Sequence, residues 1–188
     1  MVRIIKLKKL LRAKIIKDRY SFKRERYKGH NDIIVKYVQE VLSVLQSRIK
    51  KHNKIGFYFS MNGEPDLSDL MIMSKWCILV PKLKREKMYF VRHEAGSPIE
   101  KSSLANLIQP TNDNELEVNI VVIPALAFDI NGYRLGFGRG YYDKYLSDKK
   151  EVIKIGVCFH KDLCEELPHL PHDVKMDYII TEKTIIAL

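Results

Sequence analysis

A chain of 188 residues, 46% hydrophobic and 30% charged, is long enough to bury a core and has the balance of an ordinary globular protein. No apolar run approaches the roughly 20 residues of a membrane span, and Met1-Val2-Arg3-Ile4-Ile5-Lys6 lacks the apolar block of a secretory signal, so a cytoplasmic protein off the membrane is expected. The formal charge of +10 is uneven, with 17 Lys/Arg against 4 Asp/Glu in residues 1–54 and 16 against 19 in the rest.

Apolar Ile4, Leu7, Leu11 and Ile15 recur at helical spacing over residues 3–19, with basic residues between them. Residues 21–30 read as a basic turn, and Asn31 as the N-cap of a second helix. That helix carries a stripe of Ile34, Tyr37, Val38, Val41, Leu42, Leu45 and Ile49 and ends near Lys51. The basic excess of both helices attracts anions, nucleic acid or phosphorylated small molecules, or is a solvated face.

The pattern then shortens. Strands are expected at 55–61, at 76–80 before Pro81, at 88–92, at 119–123 before Pro124, at 153–159 and at 178–181. Short helices are expected near 67–74 and 103–107, with loop over most of 95–118. Cys77, Cys158 and Cys164 lack metal-ligand spacing and read as inert thiols. Strands alternating with helices imply an α/β fold whose mainly parallel sheet is flanked by helices. Ligands of such folds sit beyond the carboxyl ends of the strands.

One such place is rich in glycine. After the strand at 119–123 come Gly132, Arg134, Gly136, Gly138, Arg139 and Gly140, then an expected helix over 141–146. Alternating glycines let backbone N–H groups approach an anion, and a helix N-terminus adds more. Arg134 and Arg139 bring forked donors suited to phosphate, and Asp143 is placed to hold a magnesium ion on those phosphates. The plain alternative is a hairpin turn at Asn131-Gly132 followed by a loose loop. The spacing fits neither the Walker pattern nor the dinucleotide fingerprint.

The stretch Pro124, Phe128-Asp129, Gly132, Arg134-Leu135-Gly136, Gly138 and Gly140-Tyr141-Tyr142-Asp143 resembles the signature of the 5-formyltetrahydrofolate cyclo-ligase family. Weaker marks recur in order along the chain: Lys8 and Arg12, Phe59 through Glu64, and Leu167-Pro168 to Asp177-Tyr178. The resemblance implies one domain over residues 1–188 with a Rossmann-like fold of the ribose-phosphate-isomerase/CoA-transferase-like kind. It also implies ATP-dependent closure of 5-formyltetrahydrofolate to 5,10-methenyltetrahydrofolate. ATP would meet Lys8, Arg12, Arg134, Leu135, Gly136, Phe137, Gly138, Arg139, Gly140, Tyr141 and Tyr142. The folate would meet Phe59, Glu64, Tyr141 and Tyr142, and Asp143 and Asp173 would hold Mg2+. A monomer acting on small molecules, without nucleic acid, is implied.

Each residue also has a structural reading: a solvated helix face for Lys8 and Arg12, core for Phe59, a turn or cap for Glu64, and packing for the tyrosines. His169 and His172 raise zinc, which two histidines without a nearby cysteine support poorly. Gln109, Asn119, His160 and Phe137 depart from common family residues and bear on rate and affinity. A basic nucleic-acid binder and another α/β nucleotide or sugar-phosphate enzyme are the competing readings.

Overall fold

The computed structural model describes residues 1–47, 54–73, 75–103 and 107–188. Its helices are α1 (Val2–Arg19), α2 (Lys28–Gln46), α3 (Ser68–Met73) and α4 (Tyr141–Leu146). Its strands are β1 (Lys54–Gly56), β2 (Cys77–Lys84), β3 (Lys87–Arg92), β4 (Ile99–Lys101), β5 (Ile108–Pro110), β6 (Ile120–Pro124), β7 (Ala127–Asp129), β8 (Arg134–Leu135), β9 (Ile153–Val157), β10 (Leu163–Cys164), β11 (Tyr178–Ile180) and β12 (Ile185–Ala187). Short 3-10 turns lie at Arg24–Tyr27 and His160–Asp162.

Seven strands form the main sheet in the order β12-β11-β9-β6-β1-β2-β3. The inner run from β11 to β2 is parallel throughout, and β12 and β3 close its edges antiparallel. The fold is therefore the expected α/β type with a mainly parallel sheet. Alternation along β6 decides the layering. Ile120 and Val122 face the α2 stripe of Ile34, Val38, Val41, Leu42 and Leu45. Val121 and Ile123 face the opposite layer, with Phe128, Tyr145 and Leu146. A sheet covered on both faces explains why its strands read as continuous apolar runs. A Cβ on Gly156 would stand 2.4 Å from Phe128 Cε1, so glycine in β9 lets the Phe128 ring lie on the strand and fixes β7 above the sheet.

Several expectations change in detail. Asn31 is no cap: α2 begins at Lys28, and the Asn31 side chain instead clamps Asp66, donating to its carbonyl (2.9 Å) and accepting its N–H (2.6 Å). The strand expected at 55–61 ends at Gly56; Phe57 stays in the core with its N–H donating to the Leu79 carbonyl, and Tyr58, Phe59 and Met61 go on to line a cavity. Pro81 does not stop β2. The last pair with β1 is Gly56 with Leu79, so beyond it no strand asks Pro81 for an N–H. The stretch expected as loop over most of 95–118 contains a hairpin of β4 with β5, and β7 and β8 form the hairpin of the plain alternative at Asn131-Gly132. Ile49, the helix end near Lys51, Ser74 and the middle of the turn expected near 103–107 lie outside the described residues. No helix among the described residues is long and apolar enough to cross a membrane.

Candidate functional site

Beyond the carboxyl ends of the parallel strands lies a cavity of about 950 Å3. The chain after β1 gives it Tyr58, Phe59, Met61 and Glu64, and the end of β6 gives Pro124. The loop from β8 to α4 gives Arg134, Gly136, Phe137, Gly138, Arg139 and Gly140, followed by Tyr141, Tyr142 and Asp143. α1 crosses one side with Ile5, Lys8 and Arg12, and the segment before β11 closes another with Leu170, His172 and Asp173. Every residue expected at ATP, folate or metal therefore lines one cavity, except Leu135. Its side chain is fully buried with Ala127 and Leu167 under Leu11 and Ile15, where it anchors the loop instead.

The glycine loop is built by two constraints. Gly138 has φ +104° and Gly140 has φ +66°, a region where an L side chain is strained. Arg12 holds the loop from the other side, its Nε donating to the Gly136 carbonyl at 2.8 Å. Gly132 belongs to the β7–β8 turn rather than to this loop, packed against Met176 and Leu188. α4 has six residues, too few for an aligned-dipole argument, so the loop amides and side chains carry the case.

The charges at the cavity are organised in pairs. Lys8, 6% exposed, pairs with Asp173, which also accepts the Leu170 N–H at 2.6 Å. Burial alone would raise the Asp173 carboxyl; Lys8, the Leu170 N–H and His172 outweigh it and hold that carboxyl below its ordinary range. Arg134 sits 2.8 Å from Asp143 Oδ1, donates to the Val174 carbonyl at 3.4 Å and lies 5.7 Å over the Tyr142 ring. Asp143 Oδ1 also accepts the Val174 N–H at 3.1 Å. Arg139 is exposed, and among the described residues nothing pairs with its side chain. The basic face of α1 is smaller than the sequence suggests, because Lys8, Arg12 and Arg19 turn inward.

The cavity also holds a buried acid among aromatic rings. Glu64 is 2% exposed; its Oε2 accepts the Met61 N–H at 2.9 Å, and its Oε1 stands 3.8 Å from Arg19. Burial raises its pKa to about 7 against the pull of the Met61 N–H, Arg19 and Arg24. Burial, and then the Glu64 charge, push the Tyr58 and Tyr142 hydroxyls up. Glu64 thus closes a turn with one oxygen, while the other is buried without a hydrogen-bond partner among the described residues. Phe59 is half-buried, edge-on to His93 at 5.1 Å. His169 stacks on Tyr133 at 3.7 Å while His172 lines the cavity, so the two histidines do different things.

Among the contributors not expected from the sequence, Tyr58 and Lys144 line the cavity, and Asp129 supports it from the buried β7 end. Asp129 is fully buried, and its carboxylate accepts N–H groups from Asn131 (3.0 Å), Tyr133 (2.9 Å) and Leu167 (2.9 Å). It fixes the turn from which Arg134 and the glycine loop depart. The Phe128-Asp129 pair was visible in the signature, but its task was not.

A profile of the 5-formyltetrahydrofolate cyclo-ligase family matches residues 4–182. The chain is 40% identical over 74 residues to the 5-formyltetrahydrofolate cyclo-ligase of Mycolicibacterium smegmatis, a match spanning 38% of this chain and 38% of that one. It is 27% identical over 160 residues to the 5-formyltetrahydrofolate cyclo-ligase of Mus musculus, spanning 74% of this chain and 78% of that one. Its fold superposes on the NMR structure of 5,10-methenyltetrahydrofolate synthetase from Aquifex aeolicus with a TM-score of 0.81 and 26% identity, over 96% of this chain and 92% of that one. The match extends from the helix bearing Lys8 and Arg12 to beyond Asp173, and the chain belongs to the 5-formyltetrahydrofolate cyclo-ligase family.

Proposed function

We propose that the chain closes 5-formyltetrahydrofolate to 5,10-methenyltetrahydrofolate at the expense of ATP, releasing ADP and phosphate. The observation that carries the reading is one cavity of about 950 Å3 lined both by a cationic glycine loop and by a buried acid among aromatic rings. That volume is at the upper end of small-molecule sites, as two co-substrates require.

A formamide carbonyl is a weak electrophile, and its oxygen cannot leave as oxide. Transfer of the γ-phosphoryl group to the formyl oxygen activates the carbon. N10 then attacks, the C–O bond breaks with phosphate leaving, and the N10 proton is lost. Such a sequence asks a protein mainly for positioning and charge stabilisation. Lys8, Arg12, Arg134, Arg139 and the amides of the glycine loop are assigned to the triphosphate, with Phe137, Tyr141 and Tyr142 against the nucleotide. Phe59, Glu64 and the two tyrosines are assigned to the folate.

Asp143 and Asp173 fit a magnesium site in one respect. Arg134 and Val174 both engage Oδ1 of Asp143, and Lys8 and Leu170 both engage Oδ2 of Asp173. Among the described residues the second oxygen of each is left for a cation, which ordinarily takes one or two carboxylates plus substrate phosphates. Bound there, magnesium would neutralise phosphate charge. The proposal includes a single Rossmann-like domain, ribose-phosphate-isomerase/CoA-transferase-like, acting as a cytoplasmic monomer on small molecules.

The test is a spectrum. Purified protein with ATP, magnesium and 5-formyltetrahydrofolate together is expected to generate the near-ultraviolet absorbance of the conjugated methenyl product. Absence of that absorbance with folded protein overturns the reading.

Arg139→Ala is expected to lower kcat/KM for ATP by about tenfold to a hundredfold, the worth of a hydrogen bond to a charged group. Without ligand the melting temperature should stay, because an exposed charge contributes little to the fold. The stabilisation by ATP should shrink. Unchanged kinetics and unchanged stabilisation would confine Arg139 to loop solubility.

A further inference from the structure

Arg19 is an uncommon residue to end a helix with its side chain inside the protein. It is 6% exposed. One guanidinium nitrogen donates to the carbonyls of Ala125 (2.7 Å) and Leu126 (3.3 Å), in the turn between β6 and β7. The same nitrogen lies 3.6 Å from Asp162 Oδ2, and Asp162 is also held by Lys161 at 2.8 Å. The other terminal nitrogen lies 3.8 Å from Glu64 Oε1. The aliphatic part of the side chain fills the space where a Cβ of Gly63 would stand, 2.7 Å from its Cδ. The Arg19 carbonyl accepts the Asn62 side-chain amide at 3.0 Å. One residue thus grips both the 61–64 turn and the strand end that leads to the glycine loop.

The contact with Glu64 is incomplete. Among the described residues, Arg19 Nε, Arg19 Nη1 and Glu64 Oε1 are buried without a hydrogen-bond partner. Buried polar atoms are rarely left so. At 3.8 Å the two groups attract each other without closing a hydrogen bond, so Oε1 keeps its acceptor capacity, in a residue that lines the cavity. A closed bidentate pair would have used it up.

We propose that Arg19 is a positioning residue for the folate end of the site: it holds the Glu64 carboxylate at a fixed stand-off, with Oε1 presented to N–H donors of the bound substrate. This deepens the assignment of Glu64 to the folate and rests on that reading. Arg19 touches no substrate itself and acts through Glu64. The charged and titratable groups around Glu64 are Arg19 from α1, Arg24 from the turn after it, Tyr58 from the strand end and Tyr142 from α4. Arg19 and Arg24 favour the ionised carboxyl, and burial opposes them.

The link between the two residues is read without any enzymatic assumption, by carboxyl 13C NMR titration of Glu64 in the ligand-free protein. In Arg19→Met the Glu64 midpoint is expected to rise by about one pH unit, since the counter-charge is gone and burial remains. In Arg19→Lys it should stay near the parent value. A folded Arg19→Met protein with an unmoved midpoint overturns the proposal, whatever the enzyme does.

The consequence for substrate is read in steady-state kinetics. The KM for 5-formyltetrahydrofolate should rise by about tenfold in Arg19→Met and by less in Arg19→Lys, with the KM for ATP little changed. The acidic limb of kcat/KM for the folate should move to higher pH in Arg19→Met only. Because Arg19 acts through Glu64, Arg19→Lys in a Glu64→Gln background should raise the folate KM no further. This cycle uses the milder variant and decides the matter even if Arg19→Met does not fold. A purely structural arginine would instead lower melting temperature and kcat, move the KM values for both substrates alike, and add its effect to that of Glu64→Gln; that result overturns the proposal. Parent protein with no methenyl absorbance sinks the folate reading itself, and the NMR titration still decides whether Arg19 governs Glu64.

Discussion

Asp143→Asn is expected to lower turnover by about a hundredfold to a thousandfold at limiting magnesium, the range for losing one preorganised electrostatic contact to a transition state. The fold should barely notice. An asparagine Oδ1 can still accept from Val174 and from Arg134, so the loss is the charge assistance of two bonds, about 1 kcal/mol. For a chain of this size that is about 2–4 °C of melting temperature. Initial rates over a magnesium series, with melting curves of both proteins, check it. Equal turnover at limiting magnesium would remove Asp143 from the proposed magnesium site. A raised KM for ATP with unchanged kcat and magnesium response would mean that Asp143 serves only to aim Arg134.

Asp129→Ala should be the most damaging single change to the fold around the site. It orphans three backbone N–H groups, of Asn131, Tyr133 and Leu167, beside a side chain that is fully buried. Each orphaned donor costs about 1–3 kcal/mol, partly relieved if water enters. A total of about 3–5 kcal/mol corresponds to a melting temperature lower by roughly 6–20 °C. Asp129→Asn should be nearly as harmful, because one oxygen must become an NH2 group facing an N–H donor. Melting curves of the two variants measure this. A loss under about 1 kcal/mol in both would show that the turn holds itself.

The glycine loop was legible because its chemistry is local. Glycines that need positive φ, two arginines and a carboxylate fall within ten residues, and residue type alone says most of what they can do. α4 was placed at its observed bounds for the same reason. The resemblance added Lys8, Phe59, Glu64 and Asp173, which no local pattern distinguishes from a solvated helix, a core ring or a turn. What stayed hidden was tertiary. Arg19 meets carbonyls 106 and 107 residues away, and Asp129 meets Leu167 at a separation of 38. In the sequence, Arg19 is one more cation in a basic helix. Only packing separates it from its exposed neighbours. Strand lengths failed where pairing ends early, as at Gly56, or runs past a proline, as at Pro81.

The pairing of Lys8 with Asp173 spans 165 residues, and that of Arg12 with Gly136 spans 124. On a ribosome adding about 5–20 residues per second, α1 is made roughly ten to thirty seconds before its final partner emerges. A helix of 18 residues is marginal in water by itself, and this one has Lys8 and Arg19 destined for the interior. For that interval it remains a fluctuating basic segment, while the sheet can pair behind it strand by strand. The glycine-loop side of the cavity is therefore completed only once Asp173 has been added, when α1, made well before it, docks against newly synthesised residues.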